Sequence, residues 1–222
     1  MNELYVLPLV VRIERAMKTT GPPERTDALE AAAMAVLSLL DDPGEWADEL
    51  HAWQATGKIR KVVRRARGSE WRRAIALPGR TIEHRTAEVR VHPPVPLDDW
   101  PRDLARLQVS GTELTDTGEL PPAEPPILWA NPKLAMSAGK AMAQAGHAAQ
   151  LAWWASDAAE RADWRANGLA VSVRTAVDQD GFDAKVDAGL PVVRDAGFTE
   201  IEPGSSTFVA DAPWLFGRVA RS

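Results

Sequence analysis

The sequence predicts an α/β layer fold built twice in tandem. Three observations lead to it. Apolar strands alternate with alanine-rich helices along the 222 residues, the pattern of helices packed on a sheet. The order strand, helix, strand, short helix, two strands runs through each half. Residues 111–126 (GTELTDTGELPPAEPP) separate the halves with four prolines, two glycines and four acids against two leucines. Such a stretch can bury little and reads as a linker.

The elements follow in order. Residues 6–10 form an apolar run that predicts the first strand, and 28–40 an alanine-rich helix. A basic strand follows within residues 58–65. In the second half, 127–129 predicts a strand and 138–154 a helix of mostly small residues, with Ser137 as its N-cap. Leu169, Val171 and Val173 alternate as in a half-buried strand over 169–175. A short helix is expected over 181–188, stopped at Gly189-Leu190-Pro191, then strands over 192–194 and 207–211.

The halves also repeat in detail. Trp53, Ala55, Gly57 and Val62 match Trp164, Ala166, Gly168 and Val173 at one constant offset. Further on, Pro78-Gly79-Arg80-Thr81 parallels Ala196-Gly197-Phe198-Thr199, and Pro93 parallels Pro213. Matches in one order argue a duplicated unit. The predicted boundaries are 1–110 for the first unit, 111–126 for the linker and 127–222 for the second unit.

Composition narrows the function. The chain is 45% apolar and 26% charged, ordinary for a globular protein with a real core. A net charge of -5 gives no global pull toward nucleic acid or anionic membranes. Cysteine is absent, so disulfides, thiolate metal sites and a cysteine nucleophile are excluded. No run approaches 18 apolar residues and the N-terminus lacks the basic start of a signal peptide, so a cytoplasmic location is expected. Four histidines (His51, His84, His92, His147) show no metal-binding spacing, and neither a metal nor a cofactor is expected.

Two clusters of polar residues stand out. Lys140, Gln144 and His147 share one face of the small-residue helix at spacing i, i+4, i+7. Such a stripe faces either water or a site. Gly139-Lys140 is not a P-loop, because Leu134 and Ala141 stand where glycine and Ser/Thr are needed. The second cluster spans residues 58–73, with eight basic residues and one acid. Its members Lys58, Arg60, Lys61, Arg64, Arg65 and Arg67 are the candidate contacts to an RNA backbone. A solvated arginine-rich strand accounts for them equally well.

The second half resembles the type II peptidyl-tRNA hydrolases. The residues that carry the resemblance are Met136, Gly139, Lys140, Gln144, His147 and Ala148 on the helix. They are joined by the turn Asp195-Ala196-Gly197-Phe198-Thr199 and the strand entry Gly204-Ser205-Ser206-Thr207. The family cleaves the ester joining a nascent peptide to the 3′ ribose of tRNA. The resemblance implicates Lys140, Asp195, Thr199 and Thr207, with Gln144 and His147 beside them, and tRNA as partner. It implies that Asp195 orients or deprotonates water and that Lys140 stabilises the oxyanion or a phosphate. Thr199 and Thr207 would hold water or ribose hydroxyls, and Gln144 would fix Lys140 or Asp195. The first half looks like a degenerate copy, with Thr26, Glu30 and Ala33 near the positions of Lys140, Gln144 and His147. Leu77 then falls near the position of Asp195, and Thr81 near that of Thr199. One chain would thus imitate a family homodimer as an intramolecular pseudo-dimer. The alternatives are a non-catalytic RNA- or protein-binding module, or a hydrolase of another small ester or amide.

Overall fold

The computed structural model describes residues 4–14, 21–57, 59–197 and 201–216. The first half opens with β1 (Tyr5–Arg12), whose run Val6–Val11 is fully buried. Then come α1 (Arg25–Asp41), α2 (Ala47–Ala55), β2 (Lys61–Ala66), α3 (Gly68–Ile75), β3 (Arg80–His84) and β4 (Ala87–Val91). The short β5 (Val95–Pro96) and α4 (Arg102–Ala105) follow. The second half runs β6 (Ile127–Ala130), α5 (Ala138–Ala155), α6 (Ala158–Ala166), β7 (Ser172–Thr175), α7 (Gln179–Asp187), β8 (Val192–Arg194) and β9 (Ser206–Asp211).

The two mixed sheets have one topology. Their orders are β2-β1-β4-β3 and β7-β6-β9-β8, with β5 added beside β1. In each, the first strand pairs parallel with the second and antiparallel with the fourth, and the third and fourth pair antiparallel. These are two tandem α/β units. The tryptophan match has a shared cause: Trp53 Nε1 donates to Arg60 O at 3.0 Å and Trp164 Nε1 to Ala170 O at 2.8 Å. Each indole is buried and ties the end of its helix to the approach of the next strand.

Three expectations need correction. Gly79 precedes β3, whereas Gly197 follows β8, so their likeness in sequence is not a structural equivalence. The turn matching Asp195 joins β3 to β4 at Arg85 and Thr86, which removes Leu77 and Thr81 as counterparts. The strand expected over 169–175 begins only at Ser172, because Leu169 takes a left-handed backbone (φ 56°) after Gly168 (φ 69°).

The long helices α1 and α5 pack on each other and on a common core. Leu9, Val36 and Leu37 share one apolar cluster with Leu128, Met142 and Phe208. Their contacts advance in the same direction, from Arg25 at Met136 to Val36 at Gly146. The helices therefore run side by side with their N-termini at one end. A methyl at Gly146 would sit 3.0 Å from Val36 Cγ2, so glycine permits this close approach. Each helix covers the β3–β4 or β8–β9 side of its own sheet and also reaches the outer parallel strand of the other.

The segment 111–126 is seated more firmly than its composition suggests. Leu114 and Thr112 are buried. Both Asp116 carboxylate oxygens accept from Thr26, from its N–H and from its hydroxyl, each at 2.8 Å. An acid from a remote segment thus caps α1, whose own Glu24 makes no side-chain cap. Among the described residues no helix is long and apolar enough to cross a membrane.

Candidate functional site

The polar centre of the second half lies where the first turns of α5 meet the turn between β8 and β9. Ser137 Oγ accepts the Lys140 N–H at 3.3 Å and starts α5, as its sequence position predicts. Lys140 therefore stands in the first helical turn, and Gln144 one turn later on the same face. Across from them, an irregularity between Val193 and Arg194 breaks the β8–β9 register and re-aims the chain at Asp195. The turn is closed by two backbone bonds, Asp195 N–H to Ser205 O at 2.9 Å and Gly204 N–H to Asp195 O at 2.7 Å. Gly197 donates its N–H to Asp195 Oδ2 at 2.9 Å from a left-handed backbone, φ 76°. A Cβ there would lie 2.3 Å from Pro203 Cγ, so only glycine fits.

The side chains form one connected chain of hydrogen bonds. Lys140 Nζ donates to Asp195 Oδ1 at 2.5 Å. Gln144 Nε2 donates to the same oxygen at 2.9 Å. Gln144 Oε1 accepts from the Thr207 hydroxyl at 2.7 Å. The carboxylate can only accept, so the Nε2 end of the amide faces Asp195 and its Oε1 end is left to take the Thr207 hydroxyl proton. Asp195, Gln144 and Thr207 are buried, while Lys140 keeps 13% of its side chain exposed. The arrangement offers a carboxylate held from one side, with an ammonium beside it at the solvent boundary.

The structure thus brings together Lys140, Gln144, Asp195 and Thr207. Thr207 is fully buried and has its proton on Gln144, so it orients the amide rather than reaching a ribose. Thr199 and Lys58 lie outside the described residues. His147 turns Nδ1 to Lys61 Nζ, 3.1 Å away, instead of to Asp195. Burial pushes its imidazole well below the usual histidine range, helped by the positive charges of Lys61 and Lys140.

The basic stretch is largely committed within the protein. Lys61 is buried; its Nζ donates to Gln150 Oε1 at 2.5 Å and lies 4.9 Å from the centre of the Trp53 ring. It therefore cannot serve as a surface contact. Arg64 donates to the carbonyls of Ala105 and Leu107 and stacks on Trp100, and Arg65 bonds Gln108. Arg60 is half-buried, and Arg67 is exposed.

The first half has not simply lost its polar set. At the matching place it carries the opposite charge pattern. Glu30, aligned with Gln144, is fully buried and accepts from Arg85 at 2.8 Å, and its Oε2 lies 2.8 Å from His84 Nε2. Its other oxygen accepts the Val173 N–H at 2.9 Å and faces Arg174 at 3.3 Å. Asp27 accepts from Arg85, from Thr86 N–H and from the Thr86 hydroxyl, which hold it below the usual carboxylate range against the opposing effect of burial. Ligand atoms of Asp27, Glu30 and His84 lie within 4.8 Å of one another, a spacing that could bridge a metal. Arg85 already supplies positive charge to both carboxylates, so the cluster is complete as an ionic joint between the halves. A lone glutamate in an alanine-rich helix, at the position of Gln144, was the sequence signal for it.

Among known families, residues 127–219 match the one described as Peptidyl-tRNA hydrolase PTH2. Neither a curated protein nor a solved structure matches the chain.

Proposed function

We propose that the second half, whose residues 127–219 match the peptidyl-tRNA hydrolase PTH2 family, hydrolyses the ester between a peptide and the 3′ ribose of tRNA. The observation that supports this most is the Asp195 carboxylate, gripped at Oδ1 by Lys140 and by a Gln144 amide that Thr207 orients.

Ester hydrolysis needs a positioned water, a stabiliser for the oxyanion and a proton for the departing ribose oxygen. Among the described residues Asp195 Oδ2 accepts one bond, from Gly197, and it has lone-pair capacity to orient a water toward the ester carbon. The Lys140 ammonium has two further N–H donors and stabilises the negative charge that develops on the carbonyl oxygen. Gln144 and Thr207 hold Asp195 in place, so that little reorganisation accompanies the attack. The proton of the water passes to the ribose oxygen as the ester bond breaks. No metal takes part in this scheme.

The first unit acts as a scaffold, and the two units pair as an intramolecular pseudo-dimer. The reciprocal reach of α5 to β2 through Lys61 and of α1 to β7 through Glu30 supports this pairing. The unit boundaries are those of the sequence, 1–110 and 127–222, with 111–126 as a strap between the N-terminal ends of α1 and α5.

The test is release of an N-blocked amino acid from aminoacyl-tRNA by the wild type, Lys140→Ala and Asp195→Ala. Wild-type release, with a loss of about 100-fold or more in each variant, is expected for removal of a group acting in the transition state. Wild-type release no faster than that of the variants sinks the proposal. Salt-dependent tRNA binding without release would instead identify a binding module.

A further inference from the structure

We infer that Arg25, the first residue of α1, contacts a backbone phosphate in the 3′ end of the RNA bound at the second half's site. The inference rests on the function proposed above and extends it to the first half.

Because α1 and α5 run in the same direction, Arg25 lies at the end of the molecule that carries Lys140. Its Nη2 donates to Met136 O at 3.0 Å. Met136 directly precedes Ser137, the cap of α5, and stands four residues before Lys140. The guanidinium therefore lies against the loop that launches the site lysine. It carries five N–H donors. Among the described residues, only this one bond engages them and no carboxylate pairs with the group. The nearby acids Glu24 and Asp116 are taken by Thr117 and Thr26. Arg25 is only partly buried, so its charge stays open to a ligand.

Two other cations stand on the segments that hold the centre's residues. Lys133 is exposed on the loop that also holds Met136, and Arg194 is exposed directly before Asp195. Arg25, Lys133 and Arg194, the last with one N–H on Ser206 Oγ at 3.0 Å, thus put three cations on or beside the segments that carry the centre, whose proposed substrate is a polyanion. Several other cations are committed elsewhere. Lys61 is buried, Arg64 and Arg65 bond within the first half, and Arg174 is held by Glu30 and by Pro121 O. Arginine suits this place because its planar fork matches two phosphate oxygens while one N–H stays on Met136 O.

The experiment measures equilibrium binding of deacylated tRNA to the full chain between 50 and 200 mM salt (about the range where phosphate contacts separate). It compares the wild type, Arg25→Gln and Arg25→Lys. Glutamine keeps a donor for Met136 O and loses the charge; lysine keeps the charge. Arg25→Gln is expected to weaken binding several-fold at low salt. It should also lower the slope of log K against log salt by about 0.7–0.9, while Arg25→Lys keeps the wild-type slope. A wild-type slope in Arg25→Gln, or no tRNA binding by the wild type, overturns the inference. Ester release is followed in parallel. A wild type that binds through Arg25 but releases nothing removes the hydrolase function and leaves the contact standing. Release with Arg25→Gln indistinguishable in KM and in salt slope does the reverse.

Discussion

Lys61→Met probes the joint between the halves. Burial pushes the Lys61 ammonium well below the usual lysine range. An unfolded lysine titrates near about 10.4. Between the lowered folded value and that figure, the unfolded chain binds more protons than the native one. Native stability therefore rises with pH across this window, by up to about 1.4 kcal/mol per pH unit for one proton. His147 adds the same sign between its own lowered value and about 6.5. Methionine fills similar space but leaves Gln150 Oε1 without its 2.5 Å donor, a loss of about 1–3 kcal/mol. In alkaline solution the wild type is thus expected to be the more stable by that amount. The gap should then narrow as pH falls, because only the wild type has an unfolded state that gains a lysine proton the native state does not bind. Urea unfolding at half-unit steps from pH 6 to pH 10 (about the window set by the lysine and histidine values) reads both effects. Curves for wild type and Lys61→Met that stay parallel throughout would mean that Lys61 titrates as an exposed lysine and that the joint is misassigned.

Two further outcomes test the packing. Gly146→Leu forces a side chain where even a methyl would lie 3.0 Å from Val36 Cγ2, and thermal unfolding should show a loss of about 1–3 kcal/mol. Asp116→Ala removes the remote cap of α1 and should cost about 0.5–2 kcal/mol in the same assay, whereas a free linker would leave stability unchanged.

Much of the fold was legible in the sequence because it rests on short-range signals. Ser137 announced α5, and Gly57 and Gly168 marked two left-handed stops of the same kind. The alternation of apolar runs gave two matching sheets. The candidate centre was legible only through the resemblance, since Lys140 and Asp195 are 55 positions apart and nothing local joins them. The error at Gly79 has the same root. A glycine before a strand and a glycine after one look alike in a row of letters, while strand pairing separates them.

Charge was the quantity that the sequence placed worst. Residues 58–73 read as one basic surface, yet Lys61 points into the seam between α1 and α5 and Arg64 spends its donors on carbonyls. In the sequence Glu30 is only the degenerate counterpart of Gln144 and Asp116 only one acid of a linker, yet one joins the halves from full burial and the other caps a helix across 90 positions.

By itself the sequence determined the two α/β units and their order, because periodicity, capping and spacing act within a few residues of one another, and it carried the motifs by which the second resembles the type II peptidyl-tRNA hydrolases. Only the tertiary structure decided which charges face water. That choice depends on the close passage of α1 over α5, where each buried charge is met by polar partners brought from distant positions: Arg85 and the Val173 N–H for Glu30, Gln150 for Lys61.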